Sequence, residues 1–460
     1  MAKFKSIPFA TQEGAAGITQ NSNESLLNMF AEISPGRSDI VRRQRPCLRS
    51  VYAVTGEKRA IERHKGVHYL VIGSGLYSFD GTTLSSSLGT LTTATGRCTI
   101  IFNDNDEAMI ADGIYGYMYD IPTAVFSAVT TDAAMNVGTL AYLGGFGVAS
   151  DAGTGKFYST VANDFSDFAT LDFATAEANP DELVRAFADH NELILAGKET
   201  IEIWQLSGAA DFPFIAVPTA KIERGIRGKF TLASVADTIA WLGNDRIVYR
   251  GDGYRANRIS THAIETLIAS ATDAQLEAAY AVVYTISGHT FYTLVCPNVF
   301  TAQYNFTTGL WNRCKTYGSN SWDIVGSNGK VADYVLTSAG ICELTFDVNQ
   351  DESGTVVRTA RSAPGDADGA MITMSEFFAD CEVGRAAHGV TPEVMLRVAR
   401  DGETFGNIRT RSLGTTGNYQ TRAVWRGLGQ GRKPVIELSC SSNARFAIVD
   451  TKLNASIGNS

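Results

Sequence analysis

The sequence predicts an all-β protein: a β-propeller followed by a β-sandwich-like domain and preceded by an N-terminal arm. Three observations carry that reading. A hairpin unit recurs through the middle of the chain, its turns are built from Gly, Asn, Asp and Ser, and the composition loosens between residues 351 and 371. The chain has 460 residues, 44% apolar and only 19% charged, with 44 glycines, which suits a large, turn-rich core of more than one domain.

The first element is the arm, residues 1–50. Its stretch "ESLLNMFAEI" (24–33) is apolar enough to be the strand that completes the last blade when the ring closes. The run "GRSDIVRRQRPCLR" (36–49) follows, with Arg37, Arg42, Arg43, Arg45 and Arg49. Five guanidiniums so close together suit phosphate, an acidic protein surface or plain solvation. In an acidic chain, beside the expected closing strand, a protein contact is favoured over DNA.

The propeller is expected over 51–355. Four copies of strand, tight turn and aromatic-rich strand are legible: "VHYLVIGSGLYSFDGTTLSS" (67–86), "CTIIFNDNDEAMIADGIYGYMYD" (98–120), "DTIAWLGNDRIVYRGDGYRANRIS" (237–260) and "AVVYTISGHTFYTLVCPNVFTAQYNFTTGLWNRC" (281–314). Gly, Asn and Asp accept positive φ or bond their own backbone, so these turns close hairpins. At about 40 to 50 residues per unit, the segment holds six or seven blades. In "KETIEIWQLSGAADFPF" (198–214), alternation places Trp204 on a half-buried strand, a structural rib rather than a ligand platform. One short helix is expected at "SATDAQLEAAY" (270–280), where Thr272 and Gln275 have capping-box spacing.

Residues 356–365 read as a linker, and 366–460 as the second domain. There "EVMLRVARDGETFG" (393–406), "QTRAVWRGLG" (420–429), "KPVIELSCSS" (433–442) and "ARFAIVDTKLNA" (444–455) are expected as antiparallel strands.

No local motif brings catalytic or metal chemistry. "DAGTGKFYS" (151–159) lacks the P-loop residues at Ser150 and Phe157, and "GLGQGR" (427–432) has no helix signal after it. His64 and His68 fall on strand pattern rather than on one helical face. "ARDGETF" (399–405) resembles the Asp-box turn of sialidase-type propellers, which is structural even there. Catalytic, cofactor and metal residues are therefore expected to be none.

The net charge is −9, which argues against general nucleic-acid binding. Residues 1–365 hold 28 Lys and Arg against 38 Asp and Glu, whereas 366–460 hold 11 against 10, so the acidity belongs to the propeller part. Seven scattered cysteines, none in a CxxC pair, suit a reducing compartment. No apolar stretch has the length of a signal peptide or membrane span, so a soluble chain without a membrane anchor is expected.

The words "ETIEIWQLSG" and "RISTHAIETLI", with "LLNMFAE" and the closing "ARDGETFGNIRTRSLGTTGNYQTRAVWRGLG", stand in an order that resembles the tail hub, or nozzle, proteins of short-tailed bacteriophages. Those are packaged-DNA stabilisation proteins. Residues 120–180 lie outside the resemblance. It implies a structural, non-enzymatic subunit of a homo-hexameric ring below the portal adaptor, in contact with other tail proteins such as fibre, needle or plug. Such a ring retains packaged DNA and passes it at ejection without sequence-specific binding. The resemblance also implies a place in the virion tail after assembly in the host cytoplasm. The alternatives are a propeller glycosidase and a receptor-binding tail adhesin.

Overall fold

The structure is a computed structural model that describes residues 5–14, 25–33, 40–131, 135–169, 172–176, 181–209, 212–327, 334–386 and 389–458. The chain is nearly all β, as its alternation and turns predict. Five four-stranded antiparallel blades span 58–90, 99–128, 137–175, 183–222 and 233–258. A sixth spans 280–313. The seventh is Tyr334–Leu336 and Gly340–Thr345, completed by Cys47–Ala53 from the start of the chain.

The blades cohere because their inner strands are apolar on both faces. In Glu107–Ala111, Ala108 and Ile110 pack toward the first blade, while Met109 and Ala111 pack toward the third. Ile194 and Ala196 likewise face the fifth blade, and Leu193 with Leu195 the third. Period-two geometry therefore gives each strand two cores at once. Trp204 is one of these ribs: it is buried, packs edge-on to Phe157 with ring centres 5.0 Å apart, and donates its indole N–H to Glu202 at 3.1 Å.

The strand that closes the ring is Cys47–Ala53, not 24–33. Leu48 pairs with Leu344 and Tyr52 with Ile341. The approach is so close that a Cβ on Gly340 would clash with the Tyr52 carbonyl. Residues 24–33 look like a closing strand because they are as apolar, but their partners lie elsewhere.

Those partners make the N-terminus part of the sandwich rather than an arm. Leu26–Leu27 runs parallel to the outer strand of the sixth blade, through Leu27 and Arg313, and antiparallel to Arg358–Arg361. The sheet then continues through Val435–Cys440, Glu393–Ala399 and Arg409–Ser412. Propeller and sandwich thus share one nine-stranded sheet, and the residues expected as a linker supply one of its strands. The second sandwich sheet runs Met29–Ile33, Ile40–Gln44, Ala447–Ile457, Ile372–Cys381 and Ala423–Gly431, with Lys5–Ser6 on its flank. Between the sheets, Phe9, Leu26 and Met29 pack with Phe377, Trp425, Leu438 and Phe446.

Two helices, His262–Ala269 and Asp273–Glu277, separate the fifth and sixth blades, with Ile264, Ile268 and Leu276 buried. The capping box forms: Gln275 N–H donates to Thr272 Oγ1 at 3.3 Å, and Thr272 N–H to Gln275 Oε1 at 2.8 Å. The first helix goes unrecognised in the sequence because its β-branched Ile264, Thr266 and Ile268 read as strand formers.

Because Leu26–Leu27, Met29–Ile33 and Ile40–Gln44 contribute to the two sandwich sheets, a fragment of 356–460 alone is expected to show the poor amide dispersion of an unfolded chain by heteronuclear NMR. Fusing residues 5–46 to it through a flexible linker is expected to restore a dispersed spectrum.

Candidate functional site

Two clusters of buried charge bear on function, one at the junction of the two domains and one at the centre of the propeller. At the junction, Arg45 has none of its surface exposed. Its Nη2 and Nη1 donate to Asp351 Oδ2 and Oδ1 at 2.6 and 3.1 Å, and its Nε donates to Asn28 Oδ1 at 3.0 Å. The guanidinium lies 4.2 Å from the centre of the Trp322 ring. Burial opposes the charge on Arg45, but the paired Asp351 carboxylate outweighs it and holds the pKa above its ordinary value. Asp351 also accepts from Leu48 N–H at 3.1 Å, which anchors the closing strand to the same carboxylate.

Arg358 performs the same service on the sandwich side. Buried completely, it donates to Gln44 Oε1 at 2.8 Å and to the carbonyls of Ala444 and Ser442 at 2.7 and 2.6 Å.

The basic run therefore divides. Arg42 is buried and donates to the carbonyls of Phe9 and Ala10 at 2.6 and 3.0 Å. Arg45 is buried as described. A solvated arm is the wrong picture for both, because their guanidiniums satisfy backbone and carboxylate oxygens inside the molecule. Arg43 pairs with Glu32 at 2.6 Å and Arg49 pairs with Glu343, both with part of the side chain in solvent. Arg37 lies outside the described residues.

At the propeller centre is a cavity of about 420 Å³. His64, Asp104, Tyr142, Asp189 and His190 line it where the inner strands end, and Arg97, Phe230 and Ser327 where inner strands begin. Arg185 is 4% exposed; its Nη1 donates to the Lys229 carbonyl at 3.0 Å, and its guanidinium carbon lies 4.9 and 5.6 Å from the Phe187 and Phe230 ring centres. Arg97 lies over Tyr280 at 4.0 Å and over the same Phe230 at 5.5 Å. Among the described residues, the buried Nε of each has no hydrogen-bond partner. Burial pushes the pKa of Arg97 down, and burial together with repulsion from Arg97 pushes that of Arg185 down to about 9. Glu62, also in the lining, accepts from Ser327 Oγ at 2.9 Å.

Asp401 builds the turn expected in "ARDGETF". Its Oδ1 accepts from the N–H groups of Glu403 and Thr404 at 2.9 and 2.7 Å, and these bonds hold its pKa at about 2. The turn presents Phe405 to Arg361 and Arg397, each 5.0 Å from the ring centre, and both arginines bind the buried Glu437. It fixes a corner of the sandwich. His64 bonds Asp106 at 2.7 Å and stacks on Phe102, while His68 packs on Tyr334. No group of three His, Cys, Asp or Glu side chains placed to hold a metal occurs among the described residues. All seven cysteines are buried and free of disulfides, and burial raises Cys98 to about 12, which keeps it a thiol.

Comparison with known proteins decides the family. The β-propeller model of bacteriophage P22 Gp10 matches residues 13–334, and its β-sandwich model matches residues 364–458. The chain belongs to the bacteriophage P22 Gp10 family. It is thus a structural tail protein of the phage virion, of the family that stabilises packaged DNA. No curated protein matches the chain. Among solved structures, it is similar to the computationally designed Ika8 protein, at 11% identity over 73% of this chain and 98% of that one, with a TM-score of 0.40. A chain of the mitotic checkpoint complex shows 11% identity over 68% and 95%, with a TM-score of 0.44. The extracellular domain of a putative one component system from B. thetaiotaomicron shows 10% over 72% and 46%, also at 0.44. These likenesses say nothing about what this chain does.

Two outcomes are expected for this Gp10-family chain. Asp351→Asn leaves Arg45 buried without its counter-charge, and chemical denaturation is expected to show a loss of about 3 to 5 kcal/mol. Asp401 has a depressed pKa, so its contribution is present above its ordinary value of 3.8 and is lost as pH falls toward about 2. Asp401→Ala is therefore expected to flatten that part of the acid limb in thermal melts between pH 4.5 and 2, with the wild type as the control.

Proposed function

We propose that this chain is the tail hub subunit itself: six copies form a ring below the portal adaptor, retain the packaged genome and serve as its conduit at ejection. The observation that carries this reading is the match of both domains, in order, to the models of one phage protein. The fold is consistent with a ring component, because the N-terminal segment locks propeller and sandwich through a shared sheet and the Arg45 and Arg358 clusters. A part that transmits force between neighbours needs its two domains held in one orientation.

In the ring, Arg49 and Arg43 are, among the described members of the basic run, those left to meet a neighbour or the adaptor, with Arg49 the more exposed at 45% of its side chain. The excess of carboxylates in residues 1–365 suits a conduit wall that repels phosphate and lets DNA slide. Fibre, needle or plug proteins complete the exit, and assembly takes place in the host cytoplasm.

The glycosidase alternative requires an activated tyrosine beside the cavity arginines. The tyrosine there, Tyr280, lies under Arg97 but donates its hydroxyl to the Ile324 carbonyl at 2.8 Å, and burial raises its pKa to about 12. A phenol held in this way is a poor nucleophile.

The test is to mix the purified chain with its portal and adaptor and to measure mass by native mass spectrometry and shape by electron microscopy. A sixfold ring docked on the adaptor is expected, and Arg49→Glu is expected to weaken docking at least tenfold. A chain that stays monomeric with the adaptor and binds host cells instead sinks the hub reading in favour of the adhesin.

A further inference from the structure

The centre of the propeller holds two cations in a place that ordinarily rejects them. A buried charge is costly unless it is paired, and two like charges that face one another raise the cost. Arg185 is 4% exposed, repels Arg97, and shares the face of Phe230 with it. Neither forms an ion pair among the described residues, and the one hydrogen bond of Arg185 goes to the Lys229 carbonyl, whereas Arg45 and Arg358 are each bonded to several carbonyl, amide or carboxylate oxygens. Hydrophobic residues of similar volume would pack there at less cost. Two guanidiniums without a carboxylate partner on the wall of one cavity supply the fork donors that an oxyanion takes.

We propose that the central cavity of the propeller is an oxyanion site in which Arg97 and Arg185 bind one phosphate or carboxylate group. Arg97 keeps part of its surface open, and as a lining residue it presents that part to the cavity. Phe187, Phe230 and Tyr280 hold the two forks in place by their ring faces. Glu62 accepts from Ser327 Oγ at 2.9 Å, and its charge favours both cations without an ion pair to either among the described residues. Asp104 and Asp189 line the opposite end of the cavity, so a polyanion such as DNA is repelled there while a small oxyanion passes. The volume, about 420 Å³, suits a small molecule and not a folded partner.

The experiment uses the full chain and three probes at equal ionic strength: inorganic phosphate, succinate and chloride. Thermal melts and isothermal titration calorimetry are the readouts. Phosphate, succinate or both are expected to raise the melting temperature well beyond chloride with one site per chain, and the stronger of the two tells which oxyanion the cavity prefers. Arg97→Met and Arg185→Met are each expected to weaken binding at least tenfold, and to raise the melting temperature of the anion-free protein by removing a buried charge. Arg97→Lys keeps the charge but loses the fork, and is expected to bind more weakly than wild type. A wild-type response no greater than that to chloride overturns the proposal, as does an undiminished response in the arginine variants.

Discussion

Arg45 carries a full charge with no water around it, and that single fact constrains much of the molecule. Its counter-charge, Asp351, lies 306 residues away, so the start of the chain must return to the end of the propeller before either residue can be buried. Once there, Asp351 also holds the Leu48 amide, and the residues that follow are delivered as the closing strand of the seventh blade. Ring closure and charge burial are the same event. Asn28 extends the cluster by donating to the Val357 carbonyl at 2.8 Å, just before the chain enters the sandwich. A propeller that closes this way cannot do so without also placing its second domain.

The consequence is a molecule whose two domains are separable in sequence but not in structure. The described residues among its first forty-four are divided among the edge of the sixth blade, both sheets of the sandwich and the core between them. Phe30 packs with propeller residues Phe291 and Trp322, while its neighbour Met29 packs with Phe377 and Trp425 in the sandwich. Adjacent residues on one strand face opposite ways, so a single short segment glues two cores together.

How much of this was legible depended on how local the cause was. Hairpins at "GSG" and "NDND", the Thr272 capping box and the Asp401 turn each rest on residues within a few positions of one another, and each formed as read. The loose composition after residue 351 marked a change of domain, although Arg358–Arg361 proved to be a strand, since Gly and Pro clusters report turns and not which neighbouring residues find partners. Long-range pairing left no such trace. Leu26 and Leu48 are both apolar residues in strand-like stretches, and the partners that make one of them close the ring, Leu344 and Asp351, lie about three hundred positions away. The arginines show the limit most plainly: Arg42 and Arg45 look no different in sequence from Arg49, yet two are interior and one is on the surface. Arg97 and Arg185, 88 positions apart, had no motif to join them.

Charge then divides into two kinds with different work. Exposed carboxylates set the long-range field, and in a conduit they keep a polyanion from adhering, because attraction to a basic wall releases counterions and would hold the cargo in place. Arg45 adds little to that field, because the Asp351 carboxylate neutralises its charge on the spot. If the chain is the conduit wall proposed above, its acidity means that retention of a genome comes from geometry, through a narrow or plugged exit, rather than from affinity. In that proposed role the rigid junction has a purpose: a wall that does not grip DNA must resist the pressure behind it, and the shared nine-stranded sheet with the buried Arg45 and Arg358 is what ties the two domains together.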